Sequence, residues 1–196
     1  MNLLKLSIVP MLATLVGCQS MQINQTKIDS NDVRTSLLKT DISIEHFKDG
    51  NLHDSMLAAQ EALIKNPNNA VAWMMLGMNY QADGSIDNLP KAKHAFEKAV
   101  KLDPNNPQIH NNYGQFLLKN RLLTQAVSEF RLAANVITYN SRESAYSNLG
   151  YTYLEMVKLG DNKAKILAKE SFDKALSLSN NYEPALLGLT QLQSMR

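Results

Sequence analysis

From about residue 36 onward, the apolar positions of this chain recur at three- and four-residue spacings, the period at which side chains share one face of an α-helix. Trp73, Leu76, Gly77 and Tyr80 mark one such face; Ala92, Phe96 and Ala99 mark a second, and Pro104 closes the pair. The succession returns as Tyr113-Gly114 and Leu117, then Ala126, Phe130 and Ala133. It returns again as Tyr146, Leu149-Gly150 and Tyr153, then Ala168, Phe172 and Ala175. A weaker copy comes first. It keeps Gly50 in its turn, Ala62 and Pro67, but Ser43 stands for the glycine and His46 for the tyrosine. Ile42 and Leu63 are its expected core residues. Nine helices and no strand are predicted.

The repeats run over about 36–69, 70–106, 107–140 and 143–182, and 183–196 reads as one more first helix without its partner. Asn66-Pro67 and Asp103-Pro104 stop helices, because the residue before a proline avoids the α region. Asn68-Asn69 and Asn105-Asn106 then suit turns and helix starts. Extra residues lengthen the turns around Ser85–Pro90 and Lys158–Lys163 and the link between the third and fourth repeats. The spacing Trp73-x2-Leu76-Gly77-x2-Tyr80, Ala92-x3-Phe96-x2-Ala99, Pro104 is that of a tetratricopeptide repeat. The expected fold is therefore all-α, a right-handed α-solenoid of helix hairpins whose small residues sit where paired helices cross. Such stacks bind other proteins through a curved wall.

The amino-terminal segment is different in kind. Met1 to Lys5 carries one positive charge, Leu6 to Val16 is mostly apolar but interrupted by Pro10, and Leu15-Val16-Gly17-Cys18 follows. The run falls short of the roughly 20 apolar residues of a membrane-spanning helix and reads as an export signal. Its last four residues resemble the bacterial lipoprotein lipobox. The resemblance implies removal of residues 1–17 and acylation of Cys18, and several acyl chains would anchor the protein stably. The other reading is a plain signal peptide with an incidental cysteine. Gln19 rather than an aspartate after the cysteine favours the outer membrane. The polar stretch that follows is expected to be a flexible tether, giving a linker over 18–35 and a repeat domain over 36–196.

With 20 basic and 18 acidic residues the net charge is +2, far from the bias of a nucleic-acid-binding surface. The lysines of the second and fourth repeats alternate with acids and read as solvated helix faces. There is no phosphate-binding glycine loop and no nucleophile elbow. His46, His53, His94 and His110 lie on separate predicted helices without metal-ligand spacing, and His110 takes an aromatic slot. No cofactor, small-molecule substrate or enzymatic activity is expected.

Two stretches go beyond a generic repeat: Asn111-Asn112-Tyr113-Gly114-x-Phe116-Leu117, and Ser141-Arg142-Glu143-Ser144-Ala145-Tyr146-Ser147-Asn148-Leu149-Gly150 after the lengthened link. They resemble the type IV pilus biogenesis lipoproteins called pilotins, of the PilF/PilW type. Two features depart from that pattern: four and a half repeats where about six are usual, and Tyr139-Asn140 where Tyr-Pro is favoured. The resemblance implies a protein on the periplasmic face of the outer membrane that helps the pilus secretin localise and assemble, in support of twitching motility. A general periplasmic scaffold that gathers envelope proteins is the alternative.

The binding surface is expected on the first helices of the repeats, in residues not used for pairing. These are Ile44 and Phe47 in the first repeat, and Met74, Met78 and Gln81 (with Val71) in the second. They continue as Asn111, Gln115 and Leu118 (with Gln108) in the third, and as Tyr151 and Leu154 (with Ser144 and Ser147) in the fourth. Methionines adapt to irregular partners, and amides can pair with the backbone of an extended peptide. Met74, Met78 and Leu154 would serve equally as core if neighbouring repeats cover them. Lys48 and Lys119 are the candidate cations for a peptide carboxylate.

Overall fold

The computed structural model describes residues 29–195. Among them the chain forms nine α-helices and no strand: α1 (Ser30–Lys48), α2 (Leu52–Lys65), α3 (Ala70–Asp83), α4 (Leu89–Leu102), α5 (Pro107–Lys119), α6 (Leu123–Asn135), α7 (Arg142–Lys158), α8 (Ala164–Leu178) and α9 (Glu183–Ser194). A short 3-10 turn, Ile86–Asn88, occupies the lengthened loop before α4. The export signal and Cys18 lie outside the described residues.

Local chemistry sets the helix ends. Asn69 Oδ1 accepts the Ala72 N–H at 3.0 Å and starts α3; Asn106 Oδ1 accepts the Gln108 N–H at 3.1 Å and starts α5. Each satisfies a donor that the first turn leaves unpaired. Gly84 ends α3 at φ 73°, in the left-handed region where a side chain is strained. Helix α1 begins at Ser30, well inside the stretch expected to be a tether. Asp29 caps it, Asp32 pairs with Lys65 of α2 at 3.1 Å, and Ser36 is wholly buried, so this extra turn is held by α2 and α3.

The helices pair as α1/α2, α3/α4, α5/α6 and α7/α8, with α9 resting on α7 and α8. Each odd-numbered helix touches the next odd-numbered one, whereas among the described residues no even-numbered helix touches the next even-numbered one. The odd-numbered helices therefore form the inner wall of a curved stack, and the even-numbered ones fan out behind them.

Paired helices meet through glycine and phenylalanine. A Cβ added at Gly77 would lie 2.9 Å from the Phe96 ring, at Gly114 2.7 Å from Phe130, and at Gly150 2.6 Å from Phe172. Real contacts do not close so far, so only glycine lets the ring lie flat against the opposite backbone. Phe96, Tyr113 and Phe116 stack with centroids 5.5–6.2 Å apart and carry the core from one repeat to the next. Trp73 donates its indole N–H to the Pro67 carbonyl at 2.9 Å, tying the helix to the turn that precedes it. His110 repeats the contact: its Nε2 lies 2.8 Å from the Pro104 carbonyl, and its Nδ1 lies 2.6 Å from Glu129 of α6.

Ile42 is 43% exposed rather than part of the core. Its counterparts one residue before each glycine, Leu76, Tyr113 and Leu149, are 6–7% exposed because a preceding and a following helix both cover them. No described helix covers the outer side of α1.

Candidate functional site

The inner wall offers side chains from α1, α3, α5, α7 and α9 in equivalent slots. The slot three residues before each glycine position holds Thr40, Met74, Asn111, Ser147 and Ala185, and all five are buried. This slot lies on the line where successive odd-numbered helices touch. Met74, at 1% exposure, is therefore structural rather than a free groove residue, and Asn111, at 6%, is largely buried. The Asn111 amide is already engaged, since its Oδ1 accepts from Asn148 Nδ2 of α7 at 3.1 Å. Leu154 is also wholly buried, in the core that contains Phe172 and Leu192.

The slot one residue after the glycine behaves differently. Ile44, Met78 and Tyr151 are half-buried, and Gln115 is exposed. Three residues further on, Phe47, Gln81 and Leu118 are half-buried. Six of the expected residues thus reach the wall as adjoining positions of α1, α3 and α5. Phe47, Met78, Gln81 and Gln115 line one cleft of about 170 Å³, together with Ala82, Asn112 and Lys119. Ile44 and Leu118 pack beside it against the core. Tyr151 stands apart. Its ring packs edge-on to Phe172 with centroids 5.2 Å apart, and its hydroxyl donates to the Pro184 carbonyl at 2.7 Å, so it docks α9. Lys48 is paired with Glu45 at 2.9 Å, whereas Lys119 belongs to the cleft.

A second cleft of about 710 Å³ opens between the start of α5, the link 136–141 and the start of α7. Gln108, Asn111, Asn112, Tyr139, Glu143 and Tyr182 are among its lining residues. Asn112 lines both clefts, so they adjoin at this residue of α5. Its amide donates to the Gln108 carbonyl at 2.9 Å and to Met74 Sδ at 3.4 Å, which holds the junction in place. The role of Asn112 as the joint was missed in the sequence, although the two-residue excess in the link was visible.

Some of the charges on the wall helices are paired. Glu155 pairs with Lys158 at 2.6 Å and with Arg121, which reaches across from the turn between α5 and α6. The hydrogen bond from Lys158 does most to hold its carboxyl below the ordinary range; burial opposes this, and the charge of Arg121 adds to it. Burial, reinforced by the negative charge of Glu97, pushes the Tyr113 phenol up to about 12, so it stays neutral. Among the described residues no cluster of histidines, cysteines and acids has the arrangement of a metal site. What the wall can do chemically is hold an extended chain: an apolar floor, amides that both donate and accept, and a cation at one end.

Residues 19–159 match the family model for the cytochrome c-type biogenesis protein H TPR domain. The chain belongs to this tetratricopeptide-repeat family. It is also homologous to the type IV pilus assembly protein PilF of Pseudomonas aeruginosa, with 27% identity over 180 residues, 91% of this chain and 68% of that one. The solved structure of Pseudomonas aeruginosa PilF superposes with a TM-score of 0.74 at 25% identity, over 83% of this chain and 69% of that one. The crystal structure of PilW, a widely conserved type IV pilus biogenesis factor, gives 0.71 at 23% identity, over 81% and 68%, and shows the same fold. The resemblance carried by Asn111–Leu117 and Ser141–Gly150 is thereby borne out, as is the all-α repeat architecture.

Proposed function

We propose that this chain is a lipid-anchored assembly factor for type IV pili. In this reading it sits at the outer membrane, held by acyl chains on Cys18 and facing the periplasm. It binds the pilus secretin through the wall of odd-numbered helices and helps it localise and assemble. One observation carries the reading: a pilus assembly protein aligns with 91% of the chain, across the inner-wall helices as well as the repeat contacts. The repeat scaffold supports a protein partner rather than a small substrate. Among the described residues no helix is long and apolar enough to cross a membrane; in this reading the acyl chains on Cys18 supply the membrane attachment.

The test has three arms. Deletion should abolish secretin multimers and twitching, and metabolic palmitate labelling should be lost with Cys18→Ser. Met78→Glu combined with Gln115→Glu should cost at least tenfold in secretin capture while leaving helicity unchanged, because both side chains face the cleft rather than the glycine contacts. Intact secretin rings and motility in the deletion strain would sink the pilus reading. Continued capture of other envelope proteins would then leave a general scaffold in its place.

A further inference from the structure

The two clefts share Asn112 and differ in chemistry. The smaller one has an apolar floor, Phe47 and Met78, with Lys119 at its edge. The larger one is lined by amides, hydroxyls and one charged side chain, Glu143. Neither Lys119 nor Glu143 joins an ion pair among the described residues. A free cation at one end and a free anion at the other give the groove an electrical polarity along α5.

We propose that the adjoining clefts bind an extended peptide in one orientation, with a bulky apolar residue and an acid over Phe47, Met78 and Lys119 and a basic residue beside Glu143. Length supports the match. From Lys119 to Gln108 the axis of α5 covers about 16 Å at ~1.5 Å per residue. Five extended steps of ~3.3 Å span the same distance. Amides along the floor between the two ends, Gln115 and Asn112 among them, suit the peptide backbone, which needs both donors and acceptors. This inference rests on the groove reading above but adds the partner's charge order, which that reading leaves open.

The experiment uses the full chain in detergent micelles and three fluorescent hexapeptides. KSGSFD carries the proposed order, DSGSFK exchanges its charges, and NSGSFN is neutral. Anisotropy titrations at low salt should show KSGSFD binding at least tenfold tighter than DSGSFK, with NSGSFN between them. About 0.5 M salt should narrow the gap, because it shortens the screening length. Lys119→Glu combined with Glu143→Lys should invert the preference without changing helicity. Equal binding of all three peptides, no binding of any, or a preference that survives the double reversal would overturn the proposal. If any of those results appears while secretin capture still depends on Met78 and Gln115, the groove reading stands and only the charge order falls.

Discussion

The joint between the first and second repeats and the joints further along solve one problem with opposite chemistry. From α3 to α8 each hairpin closes a glycine onto a phenylalanine ring, as in Gly114 on Phe130. In the first hairpin Ser43 takes the glycine's place and Ala59 the ring's. Small polar groups meet between α1, α2 and α3 instead. Ser55 Oγ donates to the Ser43 carbonyl at 2.8 Å, Asn79 Nδ2 donates to Ser55 Oγ at 2.9 Å, and Asn69 Nδ2 donates to Ser36 and Thr40, each at 2.9 Å. All six side chains are buried. The aromatic joints gain from apolar burial, whereas the polar joint depends on every donor finding its acceptor.

The widest gap between the two regions should appear when the large ring is removed. Phe130→Ala empties a wholly buried site that a glycine on α5 cannot fill, and a loss of about 3–5 kcal/mol in denaturant unfolding is expected. Ala59→Gly, the corresponding truncation in the first hairpin, should cost far less, about 1 kcal/mol, mostly through helix propensity. Equal losses would show that the two joints do not differ as described. Gly114→Ala comes next. Its methyl would press on the Phe130 ring, with an expected cost of about 1–3 kcal/mol as the ring is forced aside.

Asn79→Ala should cost about 1–2 kcal/mol, because it removes the donor to Ser55 Oγ and to the Met75 carbonyl in a dry setting. The loss is bounded on one side by a feature of the network itself. Asn79 Oδ1 is buried and has no hydrogen-bond partner among the described residues, so the amide gains less from its burial than its two donated bonds alone suggest.

These differences also mark what could be read from the residues alone. The helices were legible because Gly77, Gly114 and Gly150 recur with their phenylalanines, and the helix starts because Asn69 and Asn106 follow their proline turns. The wall was only half legible. Met74 and Met78 are the same residue type one turn apart, yet Met74 is sealed where α3 meets its neighbours and Met78 opens into the cleft. That distinction depends on how closely successive odd-numbered helices approach, which is a property of the curvature and not of a single repeat. Asn111 sits on the same line of contact, yet it still lines the larger cleft. The large cleft depends on where the longer link turns, and extra length alone does not say that.

A smaller effect separates the regions by pH. His110 places both ring nitrogens on acceptors, Glu129 and the Pro104 carbonyl, which only the doubly protonated imidazole can satisfy. Burial works to lower its pKa, but the Glu129 hydrogen bond, the Pro104 carbonyl and the charges of Glu129 and Asp103 outweigh it, and the net shift is upward from 6.5. A raised folded-state value means that the stabilisation is complete below about 6.5, the unfolded value, and is lost as pH rises through the folded value. Unfolding free energy should therefore decline above pH 6.5 in the native chain, and the decline should flatten in His110→Gln. Resonances of the imidazole followed by NMR should titrate above those of exposed histidines; an identical midpoint would refute the clamp.

The smallest net change should come from removing the polar cluster as a unit. Ser55→Ala made alone strands the Ser43 hydroxyl and one Asn79 N–H, whereas Ser43→Ala and Asn79→Leu each take one partner from Ser55 Oγ, and each should destabilise. Made together they delete donors and acceptors at once, dispose of the orphaned Asn79 Oδ1, and put a leucine in the volume of the amide. The triple variant should lie within about 1 kcal/mol of the native chain, well short of the sum of the three single losses. Near-additivity would mean that the network is worth its individual bonds and that the first joint is held by them. The expected non-additivity would mean instead that the polar joint is one of two nearly equivalent ways to fill the same gap. In that case the hydrogen bonds fix which side chains meet rather than how strongly the hairpin holds.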